Sequence, residues 1–205
     1  MTDPLDIIAP IDEAAVRLYR LDRIRTLAAR ADVAAVLLFD PINIRYANGS
    51  RNMQVWTMHN FSRYALVMTT GPSIMFELTT GMHLLKALET IDEIRPAWST
   101  DYFVTGYRAA EIATTFAGEI ADLVRQHGAG NTRLAVDRLD VDTAAALNGS
   151  GLTLTDGKQV LEHARAIKSL EEIRALKYSL STCEAAIHEL RQQVQPGMTE
   201  QEALS

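Results

Sequence analysis

The chain has 205 residues, of which 47% are hydrophobic and 22% are charged, and this balance is typical of a globular protein of one or two domains. It excludes a collagen-like, low-complexity or wholly disordered chain, and a formal net charge of -6 argues against a general nucleic-acid binder. The single cysteine excludes an internal disulfide framework.

The first half of the sequence predicts an alternation of helices and strands. Apolar residues near a 3.6-residue period predict a helix from Asp12 to Ala31, and the apolar run Val33–Phe39 predicts a strand covered on both faces. Asp40 and Pro41 should close that strand, because proline has no amide hydrogen for the sheet ladder. An Asn-Gly-Ser turn follows at 48–50. Further elements are expected to be strands at 53–58, 64–68 and 73–78, a short helix at 81–88 and an edge-like strand at 94–98.

The second half continues this alternation. The amphipathic stretch from Tyr107 to His127 predicts a long helix that Gly128 ends. Strands are expected at 134–136 and 152–154, with a helix at 141–147 between them. The first ~160 residues therefore predict one α/β domain, a mixed sheet flanked by helices. A Rossmann-like or flavodoxin-like sheet would share the alternation, but no glycine-rich phosphate-binding turn follows the first strand.

The C-terminal segment has a different pattern. Apolar residues spaced alternately by three and four predict one face of a long helix, which needs a partner surface. This apolar seam consists of Ile173, Leu176, Leu180, Cys183, Ile187, Leu190 and Val194. We expect Cys183 to be a buried structural thiol. Thr199 and Glu202 match a capping box, which predicts a helix that starts near Glu200. Because the sequence stops at Ser205, we expect the chain to be the front piece of a longer protein.

One stretch of the sequence combines unusual residues, although the familiar catalytic motifs are absent. There is no dinucleotide fingerprint, P-loop, nucleophile elbow or paired-histidine zinc motif. The unusual stretch runs from Arg51 to Asn60 and continues to Arg63. Polar and aromatic side chains such as Trp56, His59 and Arg63 can line a pocket or an interface. The alternative is structural, with Trp56 filling a gap in the core and His59 satisfying a turn.

Four segments in order resemble the creatinase/prolidase family. They are Asp40–Tyr46, Arg133–Asp137, Glu162–Ile173, and Cys183–Glu184 followed by Pro196–Glu200. The first two resemble the N-terminal domain, the third its linker, and the last the first helix and turn of the catalytic domain. The stretch from Phe39 to Asn60 is similar to a bacterial branch that includes Xaa-Pro peptidase-like proteins and dimethylsulfoniopropionate lyases.

The resemblance implies a domain organisation and a metal chemistry. Residues 1–165 would form a non-catalytic, ribonuclease-H-like α/β domain, and residues 166–205 the linker and first helix of a truncated pita-bread catalytic domain. The full-length enzyme would bind two divalent metal ions through two aspartates, a histidine and two glutamates, all downstream of Ser205. No catalytic residue, metal ligand or cofactor is therefore assigned to this chain. Trp56, His59 and Arg63 are the candidate substrate-binding residues, contributed to a neighbouring subunit's active site.

Three functions stay open at this point. The first is the N-terminal portion of a dinuclear metallohydrolase of the Xaa-Pro aminopeptidase or dipeptidase type, contributing dimerisation and a wall of the active site. The second is the same portion of a dimethylsulfoniopropionate lyase-like enzyme, in which Trp56 would attract a sulfonium cation. The third is a stand-alone, non-catalytic dimerisation module.

The expected partners follow from the same resemblance. They are the protein's own catalytic domain, a second copy in a homodimer, and a small peptide or small-molecule substrate, with no nucleic acid and no membrane. The first residues lack a signal-peptide pattern, and no uncharged apolar run reaches the ~20 residues of a bilayer span. We therefore expect a cytoplasmic protein.

Overall fold

The computed structural model describes residues 10–204, which form two compact units. One unit is Arg17–Ile167, and the other combines residues 10–16 and 168–204. The α-helices in the described residues are α1 (Glu13–Arg30), α2 (Pro41–Asn48), α3 (Gln54–His59), α4 (Tyr102–Thr105), α5 (Ala109–His127), α6 (Val141–Gly149), α7 (Lys158–Ala166), α8 (Leu170–Gln193) and α9 (Glu200–Leu204). The strands are β1 (Ala35–Leu38), β2 (Tyr64–Met68), β3 (Ser73–Glu77), β4 (Glu93–Pro96), β5 (Arg133–Val136) and β6 (Thr153–Asp156). None of the described helices combines the length and apolar character that crossing a bilayer requires.

The unit Arg17–Ile167 is built on a mixed sheet, whose strands within the described residues lie in the order β4-β3-β2-β1-β5-β6. β2 pairs antiparallel with β1 and β3, whereas the pairs β3–β4, β1–β5 and β5–β6 are parallel. All residues of β1 are buried, as expected for a strand covered on both faces. The predicted α/β fold, a mixed sheet flanked by helices with β4 at an edge, is confirmed.

Alternate residues of β1 contribute to two hydrophobic cores. Leu37 belongs to the core that contains Phe116 of α5, and Val36 belongs to the core that contains Ile24 of α1. Successive side chains of a strand point to opposite faces, so helices cover the sheet on both sides. The ends of β1 and β5 therefore belong to a packed sheet, and Arg138, which follows β5, contacts α3.

The segment after β1 is a helix, where the sequence analysis expected only the end of a strand. The Asp40 carboxylate accepts hydrogen bonds from the N–H groups of Ile42 at 2.8 Å and Asn43 at 3.2 Å, which caps α2. Pro41 occupies the first turn, where its missing N–H costs nothing. The same proline that ends the strand therefore begins the helix.

α3 lies where the sequence analysis predicted a strand at 53–58, and that prediction was wrong. Thr57 is the only buried residue of the helix, so no alternating apolar face packs on a core. Its hydroxyl donates to the Met53 carbonyl at 3.2 Å, a local bond that suits a helical turn. Asn60 ends the helix, donating its backbone N–H to the Trp56 carbonyl.

The second unit contains α8 and α9, each with a capping box at its start. Ser169 caps α8, and the carboxylate of Glu172 accepts the Ser169 N–H at 2.9 Å. The predicted box at Thr199 is confirmed, because the Glu202 N–H donates to the Thr199 hydroxyl at 3.3 Å and α9 begins at Glu200. The long helix is confirmed as well. Its apolar seam is exposed, so the prediction that Cys183 is buried was wrong.

Candidate functional site

α3 presents two of the three candidate side chains to solvent. Trp56 is 43% exposed, and its ring meets that of Phe103 edge-on with the centroids 5.4 Å apart. His59 is exposed at the C-terminal end of the same helix. Tyr102, which directly precedes Phe103, forms a second edge-on pair with Tyr107, and the two centroids lie 6.0 Å apart. We call Trp56, Phe103, Tyr102 and Tyr107 the aromatic surface.

Arg63, the third candidate, lies apart from this exposed pair in the interior. Its Nη2 lies 2.8 Å from Oε2 of Glu77, and both side chains are fully buried. Nη2 also donates to the Ser50 hydroxyl at 3.0 Å, and Asn52 donates to Glu77 Oε1 at 3.1 Å. Burial lowers the pKa of the Arg63 guanidinium, while the Glu77 carboxylate acts in the opposite direction. Arg63 therefore ties the loop before α3 to the sheet, and a role for it in substrate binding stays a prediction.

Arg138, which the sequence analysis missed, holds the other end of α3. Its Nη2 donates to the Met58 carbonyl at 2.7 Å, and its guanidinium lies over the Phe61 ring, 4.7 Å from the centroid. Its Nη1 lies 3.7 Å from an Asp40 carboxylate oxygen. These contacts connect the end of β5 to the end of α3. The only sequence signal was the position of Arg138 directly after a strand and Asp137.

Asp137 fixes the backbone from which Arg138 extends. Its buried carboxylate accepts hydrogen bonds from the N–H groups of Phe39 at 2.9 Å and Asp40 at 3.1 Å, and from the Asn43 side chain at 2.9 Å. Burial raises the pKa of the Asp137 carboxyl, although these three hydrogen bonds act in the opposite direction. The carboxylate thus joins the end of β5 to the turn between β1 and α2.

The described residues do not fit the two metal ions that the resemblance implies. Within residues 10–204, no group of three or more His, Cys, Asp or Glu side chains could hold a metal ion. A cavity of about 270 Å³ next to Phe61 and Tyr102 is lined by Asp101 and Asp140. Both carboxylates accept hydrogen bonds from the first N–H groups of the helices that follow them, so they serve as helix caps.

The sequence comparisons match most of the chain. A family model for the Creatinase/Prolidase N-terminal domain matches residues 20–167. A dimethylsulfoniopropionate lyase DddP of Roseobacter denitrificans is 35% identical over 192 residues, which cover 92% of this chain and 43% of that protein. A second protein of that name, from Roseovarius nubinhibens, is 33% identical over 195 residues, covering 93% and 44%. The chain therefore spans less than half the length of these relatives.

Solved structures share the fold at low sequence identity. An Xaa-Pro dipeptidase from Bacillus anthracis superposes with a TM-score of 0.64 at 18% identity, covering 91% of this chain and 46% of that one. An Xaa-Pro aminopeptidase from Streptococcus pyogenes gives a TM-score of 0.51 at 17% identity, covering 73% of this chain and 98% of that one. At such identities the likeness concerns the fold.

Proposed function

This chain belongs to the creatinase/prolidase N-terminal domain family, and from that membership we propose that it is the non-catalytic N-terminal portion of a longer, dimeric metalloenzyme. Support comes from the family match at 20–167 and from the coverage of only 43% and 44% of the curated relatives. In this proposal residues 166–205 lead into a pita-bread catalytic domain. The two metal ions would be held by residues outside those described.

For the full-length protein we propose a lyase of the dimethylsulfoniopropionate type. The observation that carries this choice is 35% identity over 192 residues to a protein of that name. In this reaction a base removes a proton next to the substrate carboxylate, a carbon–carbon double bond forms, and the carbon–sulfur bond breaks to release dimethyl sulfide. Hydrolysis of Xaa-Pro peptides, which the sequence analysis placed first, becomes the second candidate because its support is the shared fold.

The two reactions are separated by their products. The full-length protein should release dimethyl sulfide from dimethylsulfoniopropionate, measured in the gas above the reaction by chromatography. Free proline released from Xaa-Pro dipeptides, without dimethyl sulfide, would favour the hydrolase. Neither product from the metal-loaded full-length protein would contradict both enzyme functions.

We further propose that the aromatic surface and His59 wall the active site of the neighbouring subunit. Five of the six residues of α3 are not buried, and Trp56 packs against Phe103 while 43% of it stays exposed. An aromatic face attracts a sulfonium or ammonium cation by ~0.5–2 kcal/mol. Such a wall would contribute to substrate binding without supplying a catalytic group.

Substitutions of the wall should reduce catalysis without a matching loss of folding. In the full-length enzyme we expect Trp56→Ala and His59→Ala each to lower kcat/KM about tenfold. Trp98→Ala is the matched control, because Trp98 is 40% exposed, close to the 43% of Trp56. Trp98 is not part of the proposed wall, and its indole N–H donates to Glu119. Thermal unfolding of each variant checks the fold. Unchanged kcat/KM in both wall variants would contradict the proposal.

Mixed dimers decide whether the wall acts across the subunit interface. One subunit carries Trp56→Ala with an intact catalytic domain, and the other carries an intact Trp56 with an inactivated catalytic domain. If the wall acts on the neighbouring active site, the mixed dimer is more active per intact catalytic domain than the Trp56→Ala homodimer. Activity no higher than that of the Trp56→Ala homodimer would place the wall in its own subunit.

A further inference from the structure

α3 is a helix with almost no buried face, so its ends must hold it in place. Thr57 is its only buried residue. A helix of six residues is far shorter than the ~12–15 residues at which isolated helices become marginally stable in water. The orientation of Trp56 therefore depends on contacts that lie outside the helix.

The N-terminal end is joined to a buried ion pair. Ser50 accepts a buried hydrogen bond from Arg63, and Asn52 donates a half-buried one to Glu77. These contacts fix the loop before α3. They do not reach the C-terminal half of the helix, from which His59 extends.

Arg138 joins the C-terminal end to the sheet, beside the Phe61 ring, which packs edge-on against Phe39 with the centroids 5.3 Å apart. Its planar guanidinium combines three contacts: the Met58 carbonyl at 2.7 Å, the Phe61 ring at 4.7 Å and the Asp40 carboxylate at 3.7 Å. A cation next to a helix carbonyl end is also favourable. Lysine cannot reproduce this set, because an ammonium lacks the flat, forked donor geometry.

Hydrogen bonds hold the base of this connection. Arg138 follows Asp137, whose carboxylate binds the backbone of Phe39 and Asp40 and the side chain of Asn43. The position of the guanidinium is thus set by the end of the sheet.

We propose that Arg138 is a positioning residue that sets the place of α3 and thereby of Trp56. Its effect on catalysis rests on the proposed function of the wall, whereas its effect on the position of Trp56 does not. A shift of about 1 Å in such a group lowers the rate of a positioned reaction by up to a hundredfold.

The test places a reporter on Trp56 in the full-length protein. With 5-fluorotryptophan incorporated, fluorine NMR gives separate signals for Trp56 and Trp98, assigned by their loss in Trp→Phe variants. We expect Arg138→Ala to shift or broaden the Trp56 signal and to leave the Trp98 signal in place. Arg138→Lys should displace the Trp56 signal in the same direction, and it supplies the result if Arg138→Ala does not fold.

Arg125→Ala is the matched control. Arg125 also pairs with an aspartate, Asp122, and also donates to a backbone carbonyl, that of Ser150, but it lies on α5. We expect it to leave both fluorine signals unchanged. A Trp56 signal that stays in place in both Arg138 variants overturns the proposal. So does a displacement that Trp98 shares, because that would indicate general loss of packing.

Kinetics separate this inference from the function on which it rests. We expect Arg138→Ala to lower kcat/KM about tenfold and the double variant with Trp56→Ala to lose no more, because both changes remove one interaction. A displaced Trp56 signal with unchanged kcat/KM in Arg138→Ala and Trp56→Ala would overturn the proposed wall and leave the positioning role intact. Loss of activity in Trp56→Ala with an unmoved signal in the Arg138 variants would overturn the positioning role alone.

Discussion

Arg63 and Glu77 form an ion pair with side-chain exposures of 0% and 1%, and its stability depends on both charges being present together. Removing charges from water is costly, and the mutual attraction offsets that cost only while the geometry is good. Here Nε and Nη2 of the guanidinium both contact the same carboxylate oxygen, at 2.9 and 2.8 Å. The folded protein would be much less stable with one buried charge alone than with the pair.

We therefore predict that Glu77→Gln lowers the free energy of unfolding by ~3–5 kcal/mol, the cost of leaving a buried charge without its partner. Urea denaturation measures this loss. The double variant Arg63→Met with Glu77→Gln should lose less than the sum of the two single variants, because it removes the unpaired charge.

The control is an exposed pair on the adjacent strand. Glu93 binds Arg95 at 2.7 Å, but the two side chains are 44% and 29% exposed. Glu93→Gln should cost no more than ~1 kcal/mol, because solvent screens an exposed pair. If Glu77→Gln and Glu93→Gln lowered the free energy of unfolding equally, burial would not explain the cost of breaking the Arg63–Glu77 pair.

Asp137 makes stability depend on pH in the direction opposite to that of an ordinary paired carboxylate. Burial raises the pKa of its carboxyl in the folded state, so the folded protein holds this proton at a higher pH than the unfolded chain does. The stability from this group is full below the unfolded pKa of ~3.9 and is lost as the pH rises through the folded pKa.

We predict that the carboxyl carbon of Asp137 titrates above the usual aspartate range, as measured by carbon-13 NMR. In Asp137→Asn the site no longer titrates. The difference in free energy of unfolding, wild type minus variant, should therefore fall as the pH is raised from about 4 through the folded pKa. A difference that rises with pH would show that the three hydrogen bonds outweigh burial.

At the scale of the elements, a packed core face imposes an apolar pattern that the sequence shows clearly. The apolar run of β1 and the stripe of α5 were predicted correctly, since both are packed on the sheet. The stretch that forms α3 was predicted as a strand, and it contains Val55 and Thr57, residue types that favour extended backbone. The structure shows a helix whose ends make tertiary contacts, among them the hydrogen bond to Met58 from Arg138, 80 residues away along the chain.

α2 shows a second limit of prediction from sequence, because Asp40-Pro41 is typical both of the end of a strand and of the start of a helix. Proline cannot donate to a sheet ladder, so Pro41 correctly marks the end of β1. It is also favoured in the first turn of a helix, and Asp40 before it is a preferred cap. Both interpretations hold in the structure, and the cap was the signal for the helix.

At the scale of the whole molecule, the fold was predictable and the site was predictable only in part. The alternation of elements and the family resemblance gave the mixed sheet, and the unusual stretch gave the exposed Trp56 and His59. The separation of Arg63 from them follows from Glu77, which shares no local motif with it. Pairs of charged side chains that are distant in sequence produce no periodic pattern. The contacts of Arg138 were therefore not predicted either.

The exposed apolar seam of α8 leads to a prediction about association. Ile173, Leu180 and Ile187 are 39%, 59% and 64% exposed, and contiguous apolar faces of this kind mark interaction surfaces. We expect the 205-residue chain on its own to self-associate in sedimentation equilibrium at micromolar concentrations. The variant Leu180→Lys with Ile187→Lys should be monomeric, because each lysine places a charge on the seam.

The control must add the same charges to the same helix outside the seam. Thr182 and Gln192 are both exposed, and each is about half a helical turn from a seam residue. Thr182→Lys with Gln192→Lys should therefore leave self-association unchanged, so that a loss in the seam variant reflects its apolar contacts and not its charge. In the full-length protein the proposed catalytic domain follows this helix, and we expect it to cover the seam. The seam variant should then also lower the free energy of unfolding. A wild-type chain that stays monomeric at micromolar concentrations would contradict the prediction, and a seam variant as stable as wild type at full length would show that the catalytic domain packs elsewhere.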